Sequence, residues 1–146
     1  MFGACFSPMW SVVHKGTDRI EDIPLYRGSK YVQSEICNSY KEVEDLLKKN
    51  KPVVFVGTPC QIAGLNHFLG KSYSNLLTID FICHGVPSPV LWNWYINNVA
   101  RNFVQKNWLN RLLYRKNPLN IIRNIQFRHK ENGWKQFSIL IETRRE

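Results

Sequence analysis

The fold is decided by one stretch of the chain, Val53-Val54-Phe55-Val56-Gly57-Thr58-Pro59. Its apolar residues do not alternate with polar ones, which is typical of a parallel strand buried on both faces. Thr58 can cap a helix, and Pro59 fits the first helical position, where an amide proton would have no partner in any case. We therefore predict a buried strand that passes directly into a helix ending at Gly70.

Helices and strands alternate on both sides of this stretch. Two short strands are predicted at 1–6 and 10–15, and a helix over 39–50 follows them, beginning with a capping box between Ser39 and Glu42. A second apolar strand is predicted over 76–82. This order predicts a parallel sheet flanked by helices and joined by right-handed crossovers.

The C-terminal third predicts a helix and then an antiparallel hairpin. Ser88 and Pro89 cap this helix. The apolar residues expected along its buried side are Leu91, Tyr95, Ile96, Val99 and Phe103, and the aromatic cluster of Trp92, Trp94 and Tyr95 is expected mostly to pack in the core. Ile125 and Phe127 begin the hairpin, Asn132-Gly133 forms its turn, and Phe137, Ile139 and Ile141 return. The predicted fold class is α/β, a mainly parallel sheet flanked by helices with an antiparallel C-terminal hairpin.

Length and composition favour a single soluble domain. The chain has 146 residues, of which 44% are hydrophobic, so it can bury a sizeable core and is not expected to be disordered. We expect one domain over 1–146, with an α/β core at 1–118 and a hairpin extension at 119–146. No apolar run approaches the roughly 18 residues of a membrane helix, and the N-terminus lacks a secretion signal. The expected location is therefore the cytoplasm.

The positive charge is concentrated in the last third of the chain. Residues 1–100 carry 9 basic and 8 acidic side chains, whereas residues 101–146 carry 11 and 3. A basic nucleic-acid or anion-binding module is therefore one alternative function, although a solvated basic face explains the charge equally well and nucleic acid is not the favoured partner. The residues of that alternative are Arg111, Arg115, Lys116, Arg123, Arg128 and Lys130, with Trp108, Tyr114 and Phe127 between them.

Two of the four cysteines carry the most informative pattern. No two cysteines form a C-x-x-C pair, which excludes a zinc ribbon and a self-contained ferredoxin motif. Cys60 and Cys83, however, each follow a predicted parallel strand, so both thiols should lie at the carboxyl edge of the sheet. Cys60 also lies in the first turn of a helix, where the positive end of the helix dipole favours a thiolate. These thiols can bind iron or zinc, or react with an electrophile.

Two other interpretations of the thiols stay open from the residues alone. Each cysteine can be a small buried hydrophobic residue, since unpaired cysteine is among the most buried residue types. Alternatively, Cys60 is an enzymatic nucleophile with His84 as its base, although the sequence offers no residue that would orient His84. Cys5 and Cys37 are expected to be buried or incidental thiols.

Four strings of the sequence together resemble one known family. They are Arg27-Gly28-Ser29-Lys30-Tyr31-Val32-Gln33-Ser34, Gly57-Thr58-Pro59-Cys60-Gln61-Ile62-Ala63-Gly64-Leu65, Ile82-Cys83-His84-Gly85-Val86-Pro87-Ser88-Pro89 and Gln126-Phe127-Arg128-His129-Lys130-Glu131-Asn132-Gly133-Trp134. In order and spacing these strings are similar to the coenzyme F-420 hydrogenase/dehydrogenase beta-subunit family. The resemblance extends over about residues 1 to 142.

This resemblance implies an oxidoreductase, specifically an iron–sulfur flavoprotein domain. Such a domain relays electrons between a 4Fe-4S cluster, FAD and a soluble acceptor such as the deazaflavin coenzyme F-420. The implied metal ligands are Cys60 and Cys83. The implied cofactor-binding residues, supported by their hydroxyl, amide, imidazole and ammonium groups, are Gly28, Ser29, Lys30, Tyr31, Gly57, Thr58, Gln61 and His84.

The resemblance also implies that further ligands are needed. A cubane cluster takes four ligands, and the matching strings supply only two. Family members that resemble this chain are longer, with a cysteine-rich segment before it and more cysteines after it, so we expect the chain to be a central piece of such a protein. The remaining ligands are expected from flanking domains, from a redox partner protein, or from Cys5 or Cys37; the alternative is that the chain is a remnant without a cluster.

Overall fold

The computed structural model describes residues 1–131, 133 and 138–144. The strands are β1 (Phe2–Phe6), β2 (Val12–Gly16), β3 (Val53–Gly57), β4 (Leu76–Asp80), β5 (Ile122–His129) and β6 (Ser138–Thr143). The α-helices are α1 (Ile23–Tyr26), α2 (Ser39–Lys48), α3 (Pro59–Leu69), α4 (Pro89–Gln105) and α5 (Trp108–Tyr114). Short 3-10 turns precede α1 and β5, at Ile20–Asp22 and Pro118–Ile121.

The chain forms two compact units. Unit 1 comprises Met1–Phe6, Val12–Arg27 and Ser34–Val86, and unit 2 comprises Ser7–Ser11, Gly28–Gln33 and Pro87–Glu146. Compactness alone does not show which part of a chain folds independently. The single domain over 1–146, with a division near residue 118, therefore stays a prediction.

The sheet of unit 1 has the strand order β2-β1-β3-β4. β1 pairs with β2 in the antiparallel sense, and β3 pairs in the parallel sense with both β1 and β4. The mainly parallel sheet is thus confirmed. α3 begins at Pro59 and ends before Gly70, whose φ of +65° lies in the left-handed region, as the local sequence predicts.

The core of unit 1 lies between β1, β3 and two helices. Its buried residues are Phe2, Val43, Leu47, Val53, Phe55, Leu65 and Leu69. The Phe55 ring is fully buried and stacks against Phe2, with 6.3 Å between the ring centres. Burial of such side chains contributes roughly 1.5–3 kcal/mol each, so the position of β3 next to α2 and α3 is strongly fixed.

Two local predictions for unit 1 are wrong. The capping box at Ser39 does not form, because Ser39 is the first residue of α2 and its buried hydroxyl donates to His14 O at 2.9 Å. The second apolar strand is neither buried on both faces nor extended to residue 82, because β4 ends at Asp80 and lies at the end of the sheet. Leu77 is accordingly 57% exposed.

Unit 2 is built on α4 and the β5–β6 hairpin. The buried residues of α4 are Trp92, Ile96, Ala100 and Val104, which recur every fourth position. Leu91 and Tyr95 are exposed, so the predicted buried side is wrong at both positions. The buried side of the helix is the one that carries Trp92, and Leu91 and Tyr95 lie beside it. α5 was not predicted.

The C-terminal hairpin is confirmed as an antiparallel pair. Ile125 lies opposite Ile141, and Phe127 lies opposite Ile139, in a sheet that contains only β5 and β6 among the described strands. Gly133 has a φ of +85° and donates its N–H to Lys130 O. Asn132 of the predicted turn and Phe137 of the predicted return strand lie outside the described residues.

Candidate functional site

Cys60 and Cys83 follow residues that are partners in the sheet. Gly57, the last residue of β3, lies opposite Asp80, the last residue of β4. Each cysteine comes three residues after one of these partners, and both side chains are exposed. We call the carboxyl edge of β3 and β4, together with residues 58–61 and 81–85, the thiol edge. Ligands of open parallel sheets bind at edges of this kind.

Each of these two sulfurs has one polar neighbour within hydrogen-bond distance. The Cys60 sulfur lies 3.1 Å from the Thr58 hydroxyl, and the Gly85 N–H donates to the Cys83 sulfur at 3.4 Å. Gly85 has a φ of +101°, a conformation that strongly favours glycine. Polar contacts of this kind can fix the orientation of a sulfur ligand.

The ligand set at the thiol edge is partial. Within the described residues, no three His, Cys, Asp or Glu side chains lie close enough together to hold a metal ion. Cys5 is buried in β1, and Cys37 lies before α2 with a φ of +49°. Two thiols fit half of the four positions that an iron–sulfur cluster requires, and the other ligands would have to come from elsewhere.

The other residues that the sequence places at the thiol edge differ in their surroundings. The Gln61 side chain is already engaged, because its Oε1 accepts from Thr58 N at 3.0 Å and its Nε2 donates to the Ser34 hydroxyl at 2.8 Å. A Cβ atom at Gly57 would lie 3.1 Å from Gln61 Oε1, so a larger residue there would require the Gln61 side chain to shift slightly. His84 is exposed, and no described residue forms a hydrogen bond with it. The polar neighbour of the Cys60 sulfur is the Thr58 hydroxyl, not His84.

Unit 2 contains a cavity of about 540 Å³, and half of its lining residues are aromatic. We call it the aromatic cavity, and its lining residues are Tyr31, Pro87, Leu91, Trp92, Trp94, Tyr95, Phe127, Arg128, Ser138 and Ile139. The Phe127 ring packs between two other aromatic residues of the wall: its centre lies 5.4 Å from the centre of the Trp92 ring and 6.0 Å from that of the Tyr31 ring. Volumes of 300–1,000 Å³ with apolar linings are typical of small-molecule sites.

Arg128 is the charged residue of the aromatic cavity. The pairing of β5 with β6 shifts register between Phe127 and His129, and Arg128 has a φ of +54° within this shift. Its guanidinium carbon lies 5.3 Å from the centre of the Tyr31 ring. Such bulges redirect side chains next to functional sites, and a left-handed arginine is uncommon enough to indicate a constraint. From the sequence alone, Arg128 has no role beyond its charge.

The predicted cofactor loop Gly28-Ser29-Lys30-Tyr31 leads into this cavity within unit 2. Gly28 has a φ of +80°, so the turn favours glycine, and Ser29 is exposed. The Lys30 ammonium donates to Gly28 O at 3.2 Å across the turn. Tyr31 is the member of the loop that lines the cavity. Ser29 and Lys30 directly precede Tyr31 in the sequence but do not themselves line the cavity.

The prediction that the aromatic residues of α4 pack in the core holds for Trp92 and is wrong for Trp94 and Tyr95. Trp92 is 4% exposed and donates its indole N–H to Trp10 O at 2.7 Å. Trp94 is 66% exposed, and Tyr95 is 38% exposed. The signal that sequence reasoning missed is the placement of aromatic residues on adjacent faces of one helix, since a single core contact cannot bury both faces.

The described part of the chain has no helix with both the length and the apolar character that crossing a membrane requires. No curated protein and no solved structure matches the chain. Residues 50–139, which are more than half of its length, match the family described as the C terminus of the coenzyme F420 hydrogenase/dehydrogenase beta subunit. This match includes both cysteines of the thiol edge and most of the wall of the aromatic cavity. The chain therefore belongs to the family defined by the C terminus of the coenzyme F420 hydrogenase/dehydrogenase beta subunit.

Proposed function

We propose that this chain is the part of an oxidoreductase beta subunit that relays electrons between an iron–sulfur cluster, FAD and a soluble acceptor such as a deazaflavin. The family description supports an oxidoreductase role related to coenzyme F420, within a complex of several subunits. The observation that carries the finer proposal is the spacing of Cys60 and Cys83 from Gly57 and Asp80, which are partners in neighbouring parallel strands.

In this proposal, Cys60 and Cys83 supply two thiolate ligands of a 4Fe-4S cluster. The cluster, when bound, supplies one-electron transfer. The Thr58 hydroxyl and the Gly85 N–H lie next to the two sulfurs, and hydrogen bonds to sulfur ligands raise the reduction potential of such centres. Flanking segments or a partner protein supply the remaining ligands.

The aromatic cavity is the proposed site of a flavin-type ring. Its indole and phenol side chains offer flat apolar surface against which a planar ring system can stack. Arg128 lies at the same wall as Tyr31 and can pair with an anionic group of the cofactor. Lys30 and Ser29, in the turn before Tyr31, are the proposed contacts for the phosphate or ribityl part. Their Coulomb attraction and hydrogen bonds hold the cofactor, and the aromatic walls exclude water from its ring.

Iron analysis of the protein produced anaerobically with its partner proteins tests the cluster assignment. Cys60→Ser and Cys83→Ser should each lower the iron content and the visible absorbance of the cluster, since serine is a poor ligand for iron at neutral pH. Cys37→Ser is the matched control, because Cys37 is also exposed but lies outside the thiol edge. Full iron content in both the Cys60 and Cys83 variants would overturn the proposal.

A further inference from the structure

A chain of hydrogen bonds links the end of β3 to the first turn of α3 through three side chains. His14 Nε2 lies 2.9 Å from Val56 O, and His14 Nδ1 lies 2.8 Å from the Ser34 hydroxyl. Gln61 Nε2 donates to the same hydroxyl at 2.8 Å. Gln61 Oε1 then accepts from Thr58 N at 3.0 Å, so the hydrogen-bond chain ends at the N-cap residue of α3.

The position of every proton in this chain follows from its end groups. Val56 O can only accept, so His14 Nε2 carries a proton, and in the neutral ring Nδ1 is then an acceptor. Thr58 N can only donate, so the amide oxygen of Gln61 faces it and the amide nitrogen faces Ser34. The Ser34 hydroxyl accepts from Gln61 and donates to His14 Nδ1. Burial lowers the pKa of His14, which favours the neutral ring that this direction requires.

The His14 end of the chain is held by the sheet. The Glu35 N–H donates to Val12 O at 2.9 Å, and the His14 N–H donates to Glu35 O at 2.8 Å, which fixes the segment containing Ser34 beside β2. The imidazole stacks on Phe55, with ring centres 5.1 Å apart and planes 15° apart. His14 itself is 4% exposed. A group held in this way can restrict the rotamer of Gln61.

Cys60 lies next to the Thr58 end of the hydrogen-bond chain. It is the second residue of α3, between Pro59 and Gln61, and its sulfur contacts the Thr58 hydroxyl at 3.1 Å. The hydrogen bond from Thr58 N to Gln61 therefore fixes the turn that carries the thiol. Resting on the proposed function, we infer that His14, Ser34 and Gln61 are positioning residues for the Cys60 ligand and that Gln61 does not contact the cofactor.

Nitrogen-15 NMR reads the hydrogen-bond chain directly. At neutral pH we expect the ring of His14 to be neutral and protonated at Nε2, and the Thr58 amide proton to be shifted downfield by its bond to Gln61. Ser34→Ala should move the Nδ1 signal of His14 and the Thr58 amide signal together. Ser34→Thr, which keeps the hydroxyl, should restore both signals.

A bifunctional thiol reagent measures the consequence at Cys60. Dibromobimane joins two neighbouring thiols, and peptide mass spectrometry identifies the Cys60–Cys83 product in metal-free protein. Ser34→Ala and Gln61→Leu should each lower the yield of this product by about fivefold, the factor that corresponds to one net hydrogen bond. Gln61→Leu also tests the inference if Ser34→Ala fails to fold.

Asn75→Ala is the matched control for both measurements. It removes hydrogen bonds to Leu47 O and Lys51 O at the opposite edge of the sheet. The variant therefore weakens unit 1 without removing any member of the hydrogen-bond chain. We expect wild-type NMR signals and wild-type cross-linking from this variant. A general loss of structure would instead lower the yield in Asn75→Ala as much as in Ser34→Ala, and this result would overturn the inference.

The inference and the proposed function fail in different ways. If wild-type protein gives no Cys60–Cys83 product, the two thiols are not neighbours, and the cluster assignment falls together with the ligand-positioning role. If wild-type protein is cross-linked but Ser34→Ala and Gln61→Leu match it in yield and in the Thr58 signal, only the positioning role is wrong.

Discussion

The guanidinium of Arg128 lies over the ring of Tyr31, 5.3 Å from its centre, at the wall of the aromatic cavity. On charge alone, Arg128 and Lys130 should act alike and only steer anions toward the protein. The structure distinguishes them, because Arg128 lines the cavity and Lys130 does not. A cation next to a bound anion slows dissociation, whereas an exposed cation mainly speeds association.

We therefore predict different kinetic effects of Arg128→Gln and Lys130→Gln on FAD binding. Arg128→Gln should increase the dissociation rate about tenfold or more, as expected for the loss of one charge-assisted hydrogen bond. Lys130→Gln should change mainly the association rate, and this change should vanish at high salt. Stopped-flow fluorescence at two salt concentrations measures both rates. Equal dissociation rates in the two variants would remove Arg128 from the proposed site.

Lys30 provides a separate prediction for the loop before Tyr31. In protein that binds the cofactor, Lys30→Ala should weaken FAD binding by roughly 1–3 kcal/mol, the range for a hydrogen bond to a charged group. Fluorescence titration of FAD at low and high salt measures this loss. Lys49→Ala, which removes an exposed cation after α2, is the control. If Lys30→Ala binds like the wild type at both salt concentrations, the Gly28–Lys30 turn is only a connector.

The start of α3 could be predicted from sequence because its signals are local. Val53 to Val56 form an uninterrupted apolar strand, and Thr58 and Pro59 directly after it have strong preferences for the cap and the first helical position. The role of Gln61 could not be predicted in the same way. Its partner Ser34 is 27 residues away, so no local pattern shows that its amide is engaged.

The aromatic cavity could not be predicted because α4 carries apolar residues on more than one face. Leu91, Trp92, Trp94 and Tyr95 all suit a buried position by type, and periodicity alone does not choose among overlapping stripes. Only the tertiary contacts of Trp92, with Phe127 and with Trp10 O, decide which face is inside. The same limitation applies to Arg128, whose position depends on a register shift in the hairpin.

Truncation of Trp92 should therefore lower mainly the stability, whereas truncation of Trp94 should lower mainly the flavin affinity. Trp92→Ala removes a buried indole and its hydrogen bond to Trp10 O, so we expect the free energy of unfolding to fall by roughly 3–5 kcal/mol. Trp94→Ala should leave the free energy of unfolding within about 0.5 kcal/mol, as is usual for surface positions, but should weaken flavin binding. Urea denaturation and flavin titration of both variants measure these effects. A Trp94→Ala variant with wild-type flavin affinity would contradict the ring site.

The stability of the folded protein should depend on pH through His14. Its pKa is lowered in the folded protein because burial disfavours the charged ring, whereas in the unfolded chain it stays near the ordinary value of about 6.5. Below that value the unfolded chain binds a proton that the folded protein does not bind, so the free energy of unfolding should fall as pH decreases. The stabilising contribution is complete above about 6.5 and is lost toward the lower, folded-state pKa.

The pH range in which His14 affects stability is separate from the range in which Glu44 does. Hydrogen bonds from Lys41 and Lys48 lower the pKa of Glu44 to about 2, so its contribution changes only below its ordinary value of about 4.5. Urea denaturation between pH 8 and about pH 5 therefore isolates the histidine effect. His14→Gln should lower the stability at neutral pH and flatten the pH dependence, and His67→Gln, at an exposed position of α3, is the control for the substitution itself. If His14→Gln keeps the wild-type slope, His14 is not the group that titrates, and the direction assigned to the Ser34 hydroxyl loses its support.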